Sequence, residues 1–142
     1  MVSPLRTAVV TLLCLSVVGL TACNLTNLLG GTTPTATLAV VVHNFHNNSV
    51  QAIVGYANSA GVQREVLIDA DGVSPIPTQT TGAEEITFAD IATDLTITVS
   101  FPNEAGVADV VVNQALSALS SGDRLRLAVT GNTAADVFTL IE

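Results

Sequence analysis

The chain has 142 residues, with 12 Asp and Glu against 4 Arg, no Lys, and a formal net charge of −8. An acidic chain without basic patches lacks the phosphate contacts on which nucleic-acid affinity rests, and the absence of lysine excludes Schiff-base chemistry. Apolar residues make up 49% of the chain and aromatics only 4%. Beyond the N-terminal segment, however, the apolar runs are as short as Leu38-Ala39-Val40-Val41-Val42, which suits strands and not membrane spans.

Arg6 is the only charge ahead of an apolar run from Ala8 to Leu20. That run has the length of a signal-peptide h-region and falls short of the roughly 20 apolar residues a membrane helix needs. It closes on Leu20-Thr21-Ala22-Cys23. The tetrad resembles the lipobox of bacterial lipoproteins: a branched apolar residue, two small residues, then the cysteine that receives the lipid. The resemblance implies that residues 1–22 are a lipoprotein signal peptide, with Leu20, Thr21 and Ala22 read by the signal peptidase. Cys23 then opens the mature chain with a diacylglyceryl group on its thiol and often an acyl group on its amine. One acyl chain holds a protein only marginally on a membrane, whereas two or more hold it stably. The implied location is the bacterial cell envelope, on its periplasmic or extracellular face. Asn24, in place of Asp, resembles the sorting signal for the outer membrane of a Gram-negative cell. The bland alternatives are an ordinary signal peptide cut near Ala22 or an uncleaved anchor. Under the lipobox reading Cys14 leaves with the leader and Cys23 is consumed by lipid. The mature domain is then stabilised by packing alone, without disulfides.

About 119 residues follow Cys23, enough for one domain. They hold all twelve acids against Arg64, Arg124 and Arg126, a balance of −9, which repels anionic headgroups and keeps the domain off the membrane that anchors it. Residues 23–37 read as the lipidated cysteine and a flexible tether. Gly30-Gly31-Thr32-Thr33-Pro34-Thr35 lies at the centre of that tether. Its reach is roughly 46 Å when fully extended and about 20 Å on average.

From residue 38 to 142 the chain reads as one domain of about eight short strands separated by turn signals. Leu38–Asn44 and Val50–Ala57 are apolar on both faces, as central strands are. Val62–Asp69 and Glu85–Asp90 follow, with Val73–Gly82 between them read as a long loop or irregular edge. Leu95, Ile97, Val99 and Phe101 alternate with Thr96, Thr98 and Ser100, the pattern of a half-buried strand. Val107–Asn113 comes next, and Gln114–Ser120 allows one helical turn. Arg124 and Arg126 alternate with Leu125, Leu127 and Val129, and Ala135–Ile141 closes the set. The turn signals include Asn47-Asn48-Ser49, Asp71-Gly72, Pro102-Asn103-Glu104-Ala105-Gly106 and Gly131-Asn132. Regular short strands with tight turns predict an all-β fold, an antiparallel β-sandwich of immunoglobulin-like architecture, with a small β-barrel as the alternative.

Three groups of residues invite a chemical reading. His43 and His46, spaced H-x-x-H, bring two imidazoles to one metal on a helix. At a strand end they point to opposite faces unless the chain turns. Asp69-Ala70-Asp71-Gly72 matches the first third of a calcium loop, but Val73 stands where the third oxygen ligand of an EF-hand belongs. Asp69 and Asp71 are therefore candidates for calcium held between sandwich loops, and a hairpin turn at Asp71-Gly72 explains the same residues. Glu84, Glu85, Asp90 and Asp94 suggest a carboxylate pair for glycoside hydrolysis, yet adjacent Glu residues on a strand point apart. No aromatic platform for sugar accompanies them. No G-x-S-x-G, H-E-x-x-H, Walker or dinucleotide-binding pattern is present.

The expectation from sequence is thus a lipid-anchored cell-envelope protein whose β-sandwich is a non-enzymatic binding or structural module. Its partners would be the membrane, through the lipid, and an envelope protein, with no cofactor beyond the calcium candidate. The competing expectation is a calcium-dependent ligand-binding domain or a small envelope hydrolase using the acidic loops.

Overall fold

The computed structural model describes residues 35–142, of which Ala36–Glu142 form one compact unit. The leader, Leu20–Cys23 and the tether up to residue 34 lie outside the described residues. Eight strands are present: β1 (Thr37–Asn44), β2 (Gln51–Ala57), β3 (Gln63–Ile68), β4 (Thr80–Thr87), β5 (Leu95–Ser100), β6 (Val110–Gln114), β7 (Arg124–Val129) and β8 (Val137–Ile141). They form two four-stranded sheets, ordered β4-β1-β7-β8 and β3-β2-β5-β6. The fold is a β-sandwich, as expected. Both sheets keep open edges, so the barrel alternative is excluded.

Alternation of side chains builds the core. Leu38, Val40 and Val42 of β1 and Leu125, Leu127 and Val129 of β7, in one sheet, face Ala52 and Val54 of β2 and Leu95, Ile97 and Val99 of β5 in the other, all of them fully buried. Threonines and arginines occupy the alternate, outward positions of β5 and β7. The strands read as apolar on both faces, β1 and β2, are interior strands of their sheets, where a neighbour on each side shields the outward face too.

Three elements depart from the sequence reading. β1 runs parallel to β7, with Val40 opposite Leu125 and Val42 opposite Leu127, so the sandwich is not purely antiparallel. β4 begins at Thr80, five residues before the expected Glu85, and pairs with β1 along its whole length. The Pro-containing stretch before it therefore ends sooner than expected. Gly82 belongs to that early part of β4 because a Cβ there would lie 2.7 Å from both Asp69 O and Ile76 Cδ1. At the other end of β4, Phe88–Asp90 forms a 3₁₀ turn instead of continuing the strand. The helical spacing at Gln114–Ser120 likewise yields a single 3₁₀ turn, Leu116–Ala118.

Strand directions decide where the loops meet. Odd-numbered strands run one way and even-numbered strands the other, so the β1–β2, β3–β4, β5–β6 and β7–β8 loops gather at one end of the sandwich.

Candidate functional site

At that end β1 finishes on an inward-facing asparagine. Asn44 continues the buried series Leu38, Val40, Val42, and it is the one polar side chain buried in the core of the described residues, 1% exposed. A buried amide must find partners, because an unpaired one forfeits the full desolvation cost. Asn44 Nδ2 donates to the carbonyls of Asn48, Ile76 and Pro77, each at 3.0 Å. Its Oδ1 accepts the His46 amide at 2.9 Å, which turns the chain sharply after β1. The backbone carbonyl of Asn44 accepts the Gln79 amide at 2.8 Å. One residue thereby fixes the β1–β2 turn against the β3–β4 loop.

The turn presents His46 to Phe101, whose ring lies 5.6 Å away and nearly perpendicular. Phe101 is buried at the end of β5, and its carbonyl accepts the Glu104 amide at 3.0 Å, folding the β5–β6 loop back. The Glu104 carboxylate is then the meeting point of three loops. Its Oε1 accepts His46 Nε2 and, at 2.8 Å, Asn48 Nδ2, both from the β1–β2 turn. Its Oε2 accepts Asn132 Nδ2 from the β7–β8 loop at 2.7 Å. The hydrogen bond from His46, then those from Asn48 and Asn132, hold the Glu104 pKa at about 2, against an ordinary 4.5. A carboxylate only accepts, so His46 Nε2 carries the shared proton. The β7–β8 loop is itself braced: Asp136 Oδ2 accepts the Thr133 amide and hydroxyl, and a Cβ on Gly131 would lie 2.6 Å from that oxygen.

Glu104, Asn48 and Asn132 were read from sequence as nothing more than turn residues. Local turn chemistry explains each of them alone, and only the strand directions show that the three turns share an end. His46, a metal candidate, is placed on Glu104. His43 bonds Thr81 Oγ1 at 2.9 Å from the outer face of β1 and stacks on Phe45, 6.0 Å between centroids. The chain does turn between the two histidines, and it sends them to different partners.

The acidic candidates are dispersed. Asp69 Oδ1 accepts the Gly72 amide at 2.8 Å, and Ala70 and Val73 exchange backbone bonds at 3.0 Å around the turn. Asp71 and Gly72 both have positive φ, 53° and 80°, the backbone of a two-residue I′ hairpin. Glu84 and Glu85 point to opposite sides of β4, beside Val40 and Ala39 respectively. Asp94 Oδ1 accepts the Leu116 amide at 2.8 Å, closing the β6–β7 loop, and Asp90 lies exposed in its 3₁₀ turn. Among the described residues no group of three His, Cys, Asp or Glu side chains is arranged to hold a metal ion.

Two shallow clefts lie on the outer sheet faces, away from Glu104. One, of about 250 Å³, opens above Gly55 between Glu65, Thr96 and Asp94. The other, of about 380 Å³, lies over Ala39 and Val41 between Glu85 and Arg124.

No protein-family model matches the chain, and a search of curated proteins returns no significant match.

Proposed function

We propose that the chain is a lipid-anchored cell-envelope protein whose β-sandwich is a non-enzymatic binding module, with recognition at the loop end tied by Glu104. One observation carries the reading: three loops from three strand pairs converge on a single carboxylate whose oxygens accept three side-chain donors. Such a tie removes the conformational freedom that loops otherwise lose on binding, so a partner meets a preorganised surface. His46 and Glu104 are spent on each other and on Phe101, and no Ser, Thr or Cys side chain bonds the His46 ring among the described residues, which favours holding over turnover. The tie also leaves Phe45, Asn47, Gln79 and Asn103 exposed on the same end for contact. The envelope location rests on the lipobox-like Leu20–Cys23, and no helix among the described residues is long and apolar enough to cross a membrane.

Metabolic labelling with a palmitate analogue tests the anchor: the wild-type chain takes the label and Cys23→Ala does not. Pull-down from solubilised envelope tests the module. The expected result is one stoichiometric protein partner, lost in Glu104→Ala and kept in Val111→Ala on the outer face of β6. Purified chain that turns over an envelope substrate with no partner present overturns the reading.

A further inference from the structure

β8 is an edge strand, with no neighbour beyond it among the described residues. Arg124 and Glu142 exchange both backbone bonds, at 2.9 and 3.0 Å, and the Thr130 amide reaches Asp136 O at 2.9 Å. In an antiparallel ladder bonded residues alternate, so Phe138 and Leu140 turn their backbone groups toward β7. Val137, Thr139 and Ile141 turn theirs away, leaving three open N–H and C=O pairs.

Protein edges are normally blunted by charge, proline or an inward-pointing ionisable residue. β3 carries Arg64 and Glu65, β4 carries Glu84 and Glu85, and β6 ends in Asn113-Gln114. β8 reads Val-Phe-Thr-Leu-Ile, with no charge, Pro or Gly. Its Phe138 and Leu140, opposite Ala128 and Arg126 on the outer face, are 58% and 57% exposed.

The segment is also symmetric about Thr139. An antiparallel copy centred there pairs Thr139 with Thr139, Val137 with Ile141, and Phe138 with Leu140. The bonded positions of this register are the three whose backbone groups are open, and its closest side-chain pairs are the two exposed apolar residues. The charges agree. Asp136 of a second copy lands beside Glu142, which already pairs with Arg126 at 3.1 Å. Arg124, opposite Glu142 on β7, makes no side-chain ion pair among the described residues, which leaves its guanidinium for the incoming carboxylate. We propose that β8 is a self-association edge, on which a second copy of this chain adds its own β8 across a two-fold axis at Thr139.

The proposal is independent of the loop-end reading, and a cysteine at the axis tests it. Directly opposed bonded residues have Cα atoms about 5.5 Å apart, within disulfide reach. Thr139→Cys is made in the full chain in detergent, with the wild type setting the baseline for Cys14 and Cys23, and Val111→Cys on β6 as a control that is also exposed. Mild oxidation should link Thr139→Cys into a species of twice the chain mass, severalfold more than Val111→Cys. Light scattering should give two copies for the wild type and one for Thr139→Pro, a change that removes an outward N–H and spares every bond to β7. Cross-linking no greater than the control, a linked product containing a different protein, or a single-copy wild type overturns the proposal. So does Thr139→Pro that still runs as two copies. Should that variant fail to fold, the cross-link decides.

Discussion

Asn44 provides the sharpest test of how the loop end is held. Its amide group has two N–H bonds and serves three carbonyls at 3.0 Å, so one hydrogen is shared. Two of those carbonyls keep another donor when Asn44 is lost: Ile76 O accepts Val50 N at 3.0 Å and Pro77 O accepts Thr80 Oγ1 at 2.7 Å. Only Asn48 O and the His46 amide lose their side-chain partner outright. At about 1 kcal/mol for each net hydrogen bond, with a small cavity added, Asn44→Ala should cost about 2–4 kcal/mol. Asn44→Asp keeps the shape and reverses the chemistry, aiming a carboxylate oxygen at three carbonyl oxygens in a buried site. An uncompensated buried charge costs about 3–5 kcal/mol, a third or more of a typical domain's stability. Burial with the His46 amide as its one donor, and three carbonyl oxygens against it, raises the folded pKa of the new Asp above its unfolded value of about 3.9, so the folded state binds the extra proton. The penalty is therefore complete above that raised pKa and is relieved as pH falls through it, the protonated carboxyl donating again. Urea denaturation of wild type and both variants at about pH 7 and about pH 5 reads this directly, and both conditions lie above the range in which Glu104 protonates. An Asp variant no less stable than the Ala variant, or one whose deficit grows on acidification, refutes the reasoning.

Glu104 carries the opposite sign. Its folded pKa of about 2 lies below its ordinary 4.5, so its contribution is complete above 4.5 and is lost as pH falls from there to about 2; Glu104→Gln should flatten this limb of the stability curve. Ile97→Ala and Leu127→Ala, both fully buried in the wild type, should each cost about 2–5 kcal/mol by urea denaturation, and a loss below about 1 kcal/mol would contradict the core assignment. Calcium titration should leave the melting temperature unchanged, because the Asp69 carboxylate is committed to the Gly72 amide. A rise that disappears in Asp69→Ala would assign the turn to calcium.

The sandwich was legible in the sequence where side-chain alternation is strict. Leu95, Ile97 and Val99 against Thr96 and Thr98, and Leu125, Leu127 and Val129 against Arg124 and Arg126, fix both the strand type and the face it buries. The Asp71-Gly72 hairpin was legible because its left-handed backbone selects those residues. The start of β4 was not. Thr80, Thr81 and Gly82 read as loop in a Thr-rich, Pro-flanked stretch, and they are a strand because β1 supplies an edge along which every one of them pairs. The parallel β1–β7 pair was equally hidden, since no local signal distinguishes a strand's partner across eighty residues of chain.

Asn44 shows what a stricter reading of alternation could have found. A polar residue at the inward parity of Leu38, Val40 and Val42 has to be satisfied by something that meets β1 at its end, and the turn-rich segments were the available donors and acceptors. Glu104 has no such signal. Its position follows from Asn44: once that side chain fixes the β1–β2 turn, His46 is directed onto Phe101, and the loop after Phe101 brings its carboxylate to the imidazole and to Asn48. The β7–β8 loop joins last, through Asn132, with Thr133 and Asp136 setting its shape. The order is one of physical dependence, from a buried amide to a half-buried carboxylate. It requires that Asn44 variants weaken the Glu104 tie, whereas Glu104 variants leave the Asn44 bonds in place. A double-mutant cycle between Asn44→Ala and Glu104→Gln should accordingly show coupling well above the few tenths of a kcal/mol typical of independent sites. Simple additivity of the two losses would break the proposed chain of dependence.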